Sequence, residues 1–467
     1  MQNTAFSIGA IALIDKVNKD HNLFNYLFDG LDSKQKQFVQ LVKLLIHNKL
    51  NKDVSEHQIL NVYPKELWEY LGFNKQPKER TIYRSLESIG KNINIVNAKV
   101  LNFLKENKLL DKIQHIDWSS VFFQGKKADL AKYGYSRDHR PDKKQVAFGV
   151  TIGNNNISSI ITIQKGNVVD KIHLKRTLKI IAKVFEKNTL LVFDCGANTK
   201  ENRTKIKKMD FNYLSLKQKK KTAYKKYIKI FKNEKKTTVI IKNQKYKCVK
   251  VKDKENTKYI FFSKKRKKEL IKGRNKRFIK ELEKNKKILT KVKKGKEIKK
   301  IYTDEGYIIL EGTLQKIFGK MKNPKISGIE GFFILESSLD EEPTQILKTY
   351  KNRDKTEKII KAMKDGLGLR PIRHTNKNAI AGKILITYLA NLVICLTLKK
   401  AAEPLKNKLL DIKLLKKIVN CLTLTRIYQK VGLRIIVLSN ITPNIKLIFG
   451  GFIKKYEDKS IFYSALT

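Results

Sequence analysis

Acidic residues are scarce in this chain: 43 Asp and Glu stand against 101 Lys and Arg over 467 residues. The formal net charge is +58 and the pI is near 10.0, a balance that disfavours cationic partners and suits a polyanion such as nucleic acid. Lysine abundance alone is a weak sign, because it can follow the base composition of a genome. The shortage of acids is the stronger one. Cysteine is also sparse. Cys195, Cys248, Cys395 and Cys421 show no CxxC or Cys/His spacing, which excludes a zinc site of that kind and fits a reducing interior. The longest apolar run, Ile384 to Leu398, has 15 residues, short of the roughly 20 needed to span a bilayer. A buried helix is expected there, and no membrane partner. The start MQNTAFSIGAIALIDKV has no basic n-region or cleavage site, so no signal peptide is expected and the location reads as cytoplasmic, nucleoid-associated. No internal repeat or heptad array is present.

What is there begins at Tyr350. In YKNRDKTEKIIKAMK, Tyr350, Arg353, Glu357 and Lys364 stand at offsets of 0, 3, 7 and 14, which on a continuous α-helix fall within an arc of about 60°. Ile359, Ile360, Met363 and Leu367 project elsewhere and suit a core. A phenol and two cations match phosphate oxygens, and a lone carboxylate among them matches a divalent metal. The same residues also read as an ordinary surface helix, since Arg353 and Glu357 form an i,i+4 pair.

The pattern Tyr, two residues, Arg, three residues, Glu, six residues, Lys resembles the YREK signature of bacterial and archaeal DDE transposases of the insertion-sequence-four type. That resemblance implies two further carboxylates upstream, each on a strand of an RNase H-like domain. Asp117 sits in the strand-like IQHIDWSSVFF, with QVAFGVTI as its neighbour, and Asp194 terminates the apolar run TLLVFD. A strand apolar on both faces belongs in the middle of a covered sheet, so Asp194 emerges at the rim where such sheets place ligands. Each aspartate has a plainer reading, Asp194 as a helix cap and Asp117 as a solvated strand residue. Asp129, Asp138 and Asp142 lie near Asp117, on the loop-like ADLAKYGYSRDHRPDKK. Cys195 reads as a small buried residue.

The resemblance implies that Asp117, Asp194 and Glu357 are catalytic and hold two Mg2+ ions, with Mn2+ able to substitute, while Tyr350, Arg353 and Lys364 grip phosphates of the transposon end. Two such ions serve the hydrolysis of a phosphodiester and its attack by a 3′-hydroxyl. It also implies double-stranded DNA as partner, both transposon ends and target, and a homodimer assembled on it. A metal-dependent nuclease of the same fold and an inactive domesticated DNA-binding protein are the rival readings.

The expected architecture is α/β: an RNase H-like catalytic core interrupted by a basic, largely β insertion, with a helical N-terminal region. Residues 1–108 read as helical, with KERTIYRSLESIGK open to either a groove-reading helix-turn-helix or a packing and dimerisation layer. Residues 109–214 form the first part of the core. The 163 residues between Asp194 and Glu357 exceed what a loop supplies, so residues 215–335 are expected to be an inserted subdomain. Residues 215 to 300 hold 36 Lys and Arg against 7 Asp and Glu, a net +29. TTVIIK, YKCVKVK, KYIFFS, KIYTDEGYIIL and GFFILES read as strands there, and KKRKKELIKGRNKRFIKELEKNKKIL as a basic helix suited to tracking phosphates. Tyr302, Tyr307, Phe332 and Phe333 are either base-stacking or core aromatics. Residues 336–467 complete the core with the YREK helix and C-terminal helices. Arg370, Arg373 and His374 fall on the loop between them, as phosphate contacts or solvated cations.

Overall fold

The computed structural model describes residues 3–31, 34–253, 256–292, 300–303, 306–309, 326–400, 412–428 and 434–457. It has mixed α/β architecture and divides into two compact units, Met1–Phe211 with Asn352–Thr467, and Asn212–Lys351.

In the first unit, β1 (Thr4–Ser7) precedes a series of helices, and β2 (Ile113–Phe122), β3 (Gln145–Gly153) and β4 (Ser158–Lys165) form an antiparallel meander. Every residue of β3 is buried, as expected for a strand covered on both faces. After the helix Asp170–Ile181 the chain returns as β5 (Leu190–Phe193), which joins the free side of β2 in parallel, giving the order β4-β3-β2-β5. The parallel addition needs a crossover, and the helix supplies it.

The apolar run expected at Ile384 to Leu398 is part of a longer helix, Lys377–Lys400. Its 24 residues are long and apolar enough to cross a membrane by length and composition, so the shortness inferred from the run does not hold. Burial decides instead, since 94% of its most apolar window is buried inside the protein. Helix Glu79–Lys91 crosses it at backbone contact. A Cβ on Gly382 would lie 1.9 Å from the Leu86 carbonyl oxygen, and one on Gly90 1.9 Å from that of Asn378. KERTIYRSLESIGK thus buries Ile82, Ser85, Leu86 and Ile89 and leaves Arg80 and Arg84 on its outer side.

In the second unit, β6 (Asn212–Leu216), β7 (Thr237–Ile241), β8 (Gln244–Lys252) and β9 (Thr257–Phe262) are followed by the basic helix Lys264–Val292, the hairpin β10 (Lys300–Thr303) and β11 (Gly306–Ile309), and β12 (Phe332–Ser337). The order β6-β12-β9-β8-β7 is antiparallel throughout. Phe333 is a core residue, 3% exposed and stacked on Phe261, and Phe332 packs against Phe231 and Phe262. Tyr302 and Tyr307 face one another across the hairpin in backbone register, and their side chains lie outside the described residues.

Back in the first unit, β13 (Thr423–Tyr428) lies between β1 and β14 (Arg434–Ser439), antiparallel to each. The start of the chain is therefore not wholly helical. Its first strand is completed by a segment more than 400 residues away in sequence, a pairing that local periodicity does not encode.

Candidate active site

The YREK segment is not the single helix its spacing suggests. The helix Pro343–Lys351 ends before Asn352, a second helix runs Asp354–Lys361, and Ala362–Gly366 form a π-turn. At the break the Asn352 side chain donates to Asn154 Oδ1 at 3.0 Å, and Lys355 Nζ donates to the Asn154 carbonyl at 3.2 Å. The 100° phase linking the four residues is lost, and with it the common stripe. Tyr350 sits near the end of the first helix, in the unit Asn212–Lys351, and does not line the cleft described next.

Asp117, Asp194 and Glu357 line one open cleft with a cavity volume of about 570 Å³. Strand register explains the first two. β2 and β5 are paired up to His115 and Val192, and the same register continued by two residues reaches Asp117 and Asp194 on neighbouring strands, whose usual spacing is about 4.8 Å. Asp194 does not cap the following helix, because Thr199 does so by accepting the Asn202 N–H. Glu357 arrives from the other side, on a helix packed over β2 and β3.

Arg353 stands between these acids. Its Nη2 donates to Glu357 Oε1 at 2.7 Å and its Nη1 lies 3.5 Å from Asp117 Oδ2. Burial nevertheless pushes the Asp117 carboxyl up to about 6, outweighing the opposing pull of Arg353 and Arg137. The neighbouring Cys195 thiol is also raised, by burial and then by Asp194, so it is not an activated nucleophile.

Lys364 lines the cleft but is not held out to a ligand. It is buried, and its Nζ lies 2.8 Å from Asp138 Oδ1. Burial lowers the lysine's pKa, and Asp138 opposes that. Arg370 Nη1 reaches the same Oδ1 at 2.8 Å, and Arg370 also pairs with Asp365. Asp138 accepts the Phe122 N–H through its other oxygen at 3.1 Å. Of the loop cations, Arg370 is thus an internal ion-pair partner, and His374 Nε2 lies 3.4 Å from Glu56 Oε2.

Sequence pattern does not single out Asp138, Arg137 or Asp170. The side chain of Asp138 is 1% exposed, and Arg137 donates to both oxygens of Asp170 at 2.8 Å. The available signal is a cluster of charges, RDHRPD, just before a fully buried strand. Periodicity gives no hint of which loop charges turn inward.

Among the described residues, no three His, Cys, Asp or Glu side chains are already gathered closely enough to hold a metal ion. The donor chemistry still fits one. Three carboxylates, all hard oxygen donors, share a cleft, and a fixed cation lies between two of them.

A transposase DDE domain matches residues 109–393, well over half of the chain. The chain belongs to that family. The matched span of the transposase contains Asp117, Asp194 and Glu357 together with the unit Asn212–Lys351. No curated protein matches the sequence. Among solved structures, the transposase is similar to the piggyBac transposase in a synaptic complex with hairpin DNA, at 8% identity and a TM-score of 0.42, over 90% of this chain and 82% of that one. It is also similar to the Mos1 transposase in a paired-end complex with the left transposon end, at 12% identity and a TM-score of 0.17, over 34% of this chain and 54% of that one.

Proposed function

We propose that this DDE transposase is of the insertion-sequence-four type, that it cleaves DNA at the ends of its element, and that it joins the freed 3′-hydroxyl to target DNA. The observation that carries the reading is the meeting of Asp117, Asp194 and Glu357 in one cleft from three separate elements. An RNase H-like core is supported by the topology: three antiparallel strands, with a fourth added in parallel beside the first. Residues 215–335 act as the inserted subdomain, with the Lys264–Val292 helix tracking phosphates.

Asp117, Asp194 and Glu357 would hold divalent ions, Mg2+ in the cell with Mn2+ as substitute. When bound, such ions activate the attacking water or 3′-hydroxyl and stabilise the leaving oxygen. Arg353 bridges two of the carboxylates in the metal-free protein, and once they are neutralised its guanidinium is available to a phosphate oxygen. Lys364 and Arg370, fixed by Asp138, give the cleft wall its positive charge without flexibility. Tyr350 contributes to end binding. The working form is a homodimer on paired DNA ends, in the cytoplasm at the nucleoid.

A donor duplex with a free 3′-hydroxyl, incubated with a supercoiled target and Mg2+, tests the reading. Covalently joined product is expected. Cleavage with no joined product would leave a nuclease of the same fold.

A further inference from the structure

Between β2 and β3, Tyr133 is 63% exposed and Tyr135 80% exposed. Among the described Phe, Tyr and Trp residues, these two alone are exposed. Burying a ring stabilises a fold, so two rings left in water on one short loop need another explanation.

Looseness does not provide it, because the loop backbone is tied down on both sides of each ring. Lys132 and Gln145 exchange backbone hydrogen bonds at 3.0 and 2.8 Å. Gly134 approaches Gly166 so closely that a Cβ would lie 2.0 Å from the Gly166 oxygen. Ser120 Oγ donates to the Tyr135 carbonyl at 3.3 Å and accepts the Arg137 N–H at 3.1 Å. Ser120 is three residues beyond Asp117, roughly 10 Å along the strand, with its side chain on the opposite face of the sheet. One residue past Arg137, the loop is anchored again at Asp138.

The surroundings select the ligand. The Arg137 guanidinium lies 5.8 Å from the Tyr135 ring centre, and Lys144 Nζ lies 5.9 Å from that of Tyr133. Residues 124–144 carry seven Lys and Arg against three Asp, of which Asp138 and Asp142 are engaged by arginines or lysine. Arg137 and His139 line the same cleft as Asp117, Asp194 and Glu357. Aromatic faces interleaved with cations, one of which lines the cleft, suit alternating bases and phosphates.

We infer that Tyr135, assisted by Tyr133, is a stacking platform for an unpaired nucleobase of the DNA strand whose phosphodiester enters the cleft. The inference rests on the DNA-processing reading above. The base must be unpaired because both faces of a base in an intact duplex are already stacked. Every base presents such a face, so the contact favours opened DNA over paired DNA without selecting a sequence.

The test uses the full chain without divalent ions and two fluorescent DNAs of equal phosphate number, a blunt duplex and a duplex ending in an unpaired thymidine tract. Wild type is expected to bind the tailed DNA more tightly, and Tyr135→Ala to weaken that binding by at least about fivefold, the low end for one stacked base. Blunt-duplex binding should not change, and Tyr135→Trp should keep the preference. A 2-aminopurine placed in the tract should be quenched by wild type and by Tyr135→Trp, but not by Tyr135→Ala. Unchanged tailed-DNA binding and quenching in Tyr135→Ala would overturn the platform while leaving the transposase reading intact. Equal losses on both DNAs would also overturn it, because the contact would then be one with duplex. Failure of wild type to bind either DNA would overturn the underlying reading instead.

Discussion

Arg353 places a guanidinium nitrogen 3.5 Å from the Asp117 carboxylate, although the two are 236 positions apart in the chain. The same guanidinium holds Glu357 at 2.7 Å. A cation built into the protein thus occupies ground that the proposed chemistry assigns to metal.

One consequence is competition. Replacing Arg353 with Gln should destabilise the metal-free protein by about 1–3 kcal/mol, because two carboxylates lose their counter-charge. It should also let Mn2+ bind more tightly. Thermal melts with and without Mn2+ read both effects, and weaker Mn2+ stabilisation in the variant would show that Arg353 does not compete.

Asp117 gives a pH signature opposite to that of most carboxylates. Its pKa is raised to about 6, above the ordinary 3.8, so between about pH 4 and 6 the folded chain holds a proton that the unfolded chain has released. Stability of the metal-free protein from this group is therefore greatest below about pH 4 and falls as pH rises to about 6, by at most about 3 kcal/mol. D117N abolishes that loss. It should melt higher than wild type at a pH of about 7.5 and level with it near pH 4, and a variant less stable than wild type at the higher pH would contradict the assignment.

Asp138 should be structural in the strict sense. D138A leaves Lys364 and Arg370 without their shared carboxylate and should cost about 3–5 kcal/mol, the usual penalty for stranding a buried charge. Denaturant unfolding measures it. A loss below about 1 kcal/mol would mean that the two cations find other partners.

Glu357 and Arg353 should separate in DNA assays. E357Q is expected to spare end binding and abolish turnover, whereas R353A weakens binding. Gel shifts and nicking assays on the same DNA distinguish them, and equal loss of binding in both would remove the division of roles.

Much of the candidate cleft is legible in the amino-acid order. Asp194 stands out because it follows a wholly apolar strand, a contrast that needs no tertiary information, whereas Asp117 shares its strand with Gln114, His115, Ser119 and Ser120 and is marked chiefly by the family resemblance. The strands of residues 237–262 and the basic helix after them follow from period and composition alone. The YREK stripe fails because helical phase assumes an unbroken helix, and the chain leaves the helix at Asn352 and Arg353, where Asn352 meets Asn154, a residue remote in sequence. Asp138 is not distinguished from Asp129 and Asp142 because loops have no period to show which charge turns inward. β1 departs from the helical expectation because its pairing partner is near the other end of the chain.

The most direct test of the central claim is the position of Mn2+ in crystals of the full chain, located by anomalous scattering. The account expects Mn2+ within about 2.0–2.6 Å of carboxylate oxygens of Asp117, Asp194 and Glu357, with Arg353 displaced from Asp117. Mn2+ bound elsewhere, with Arg353 still joining Asp117 to Glu357, would contradict it.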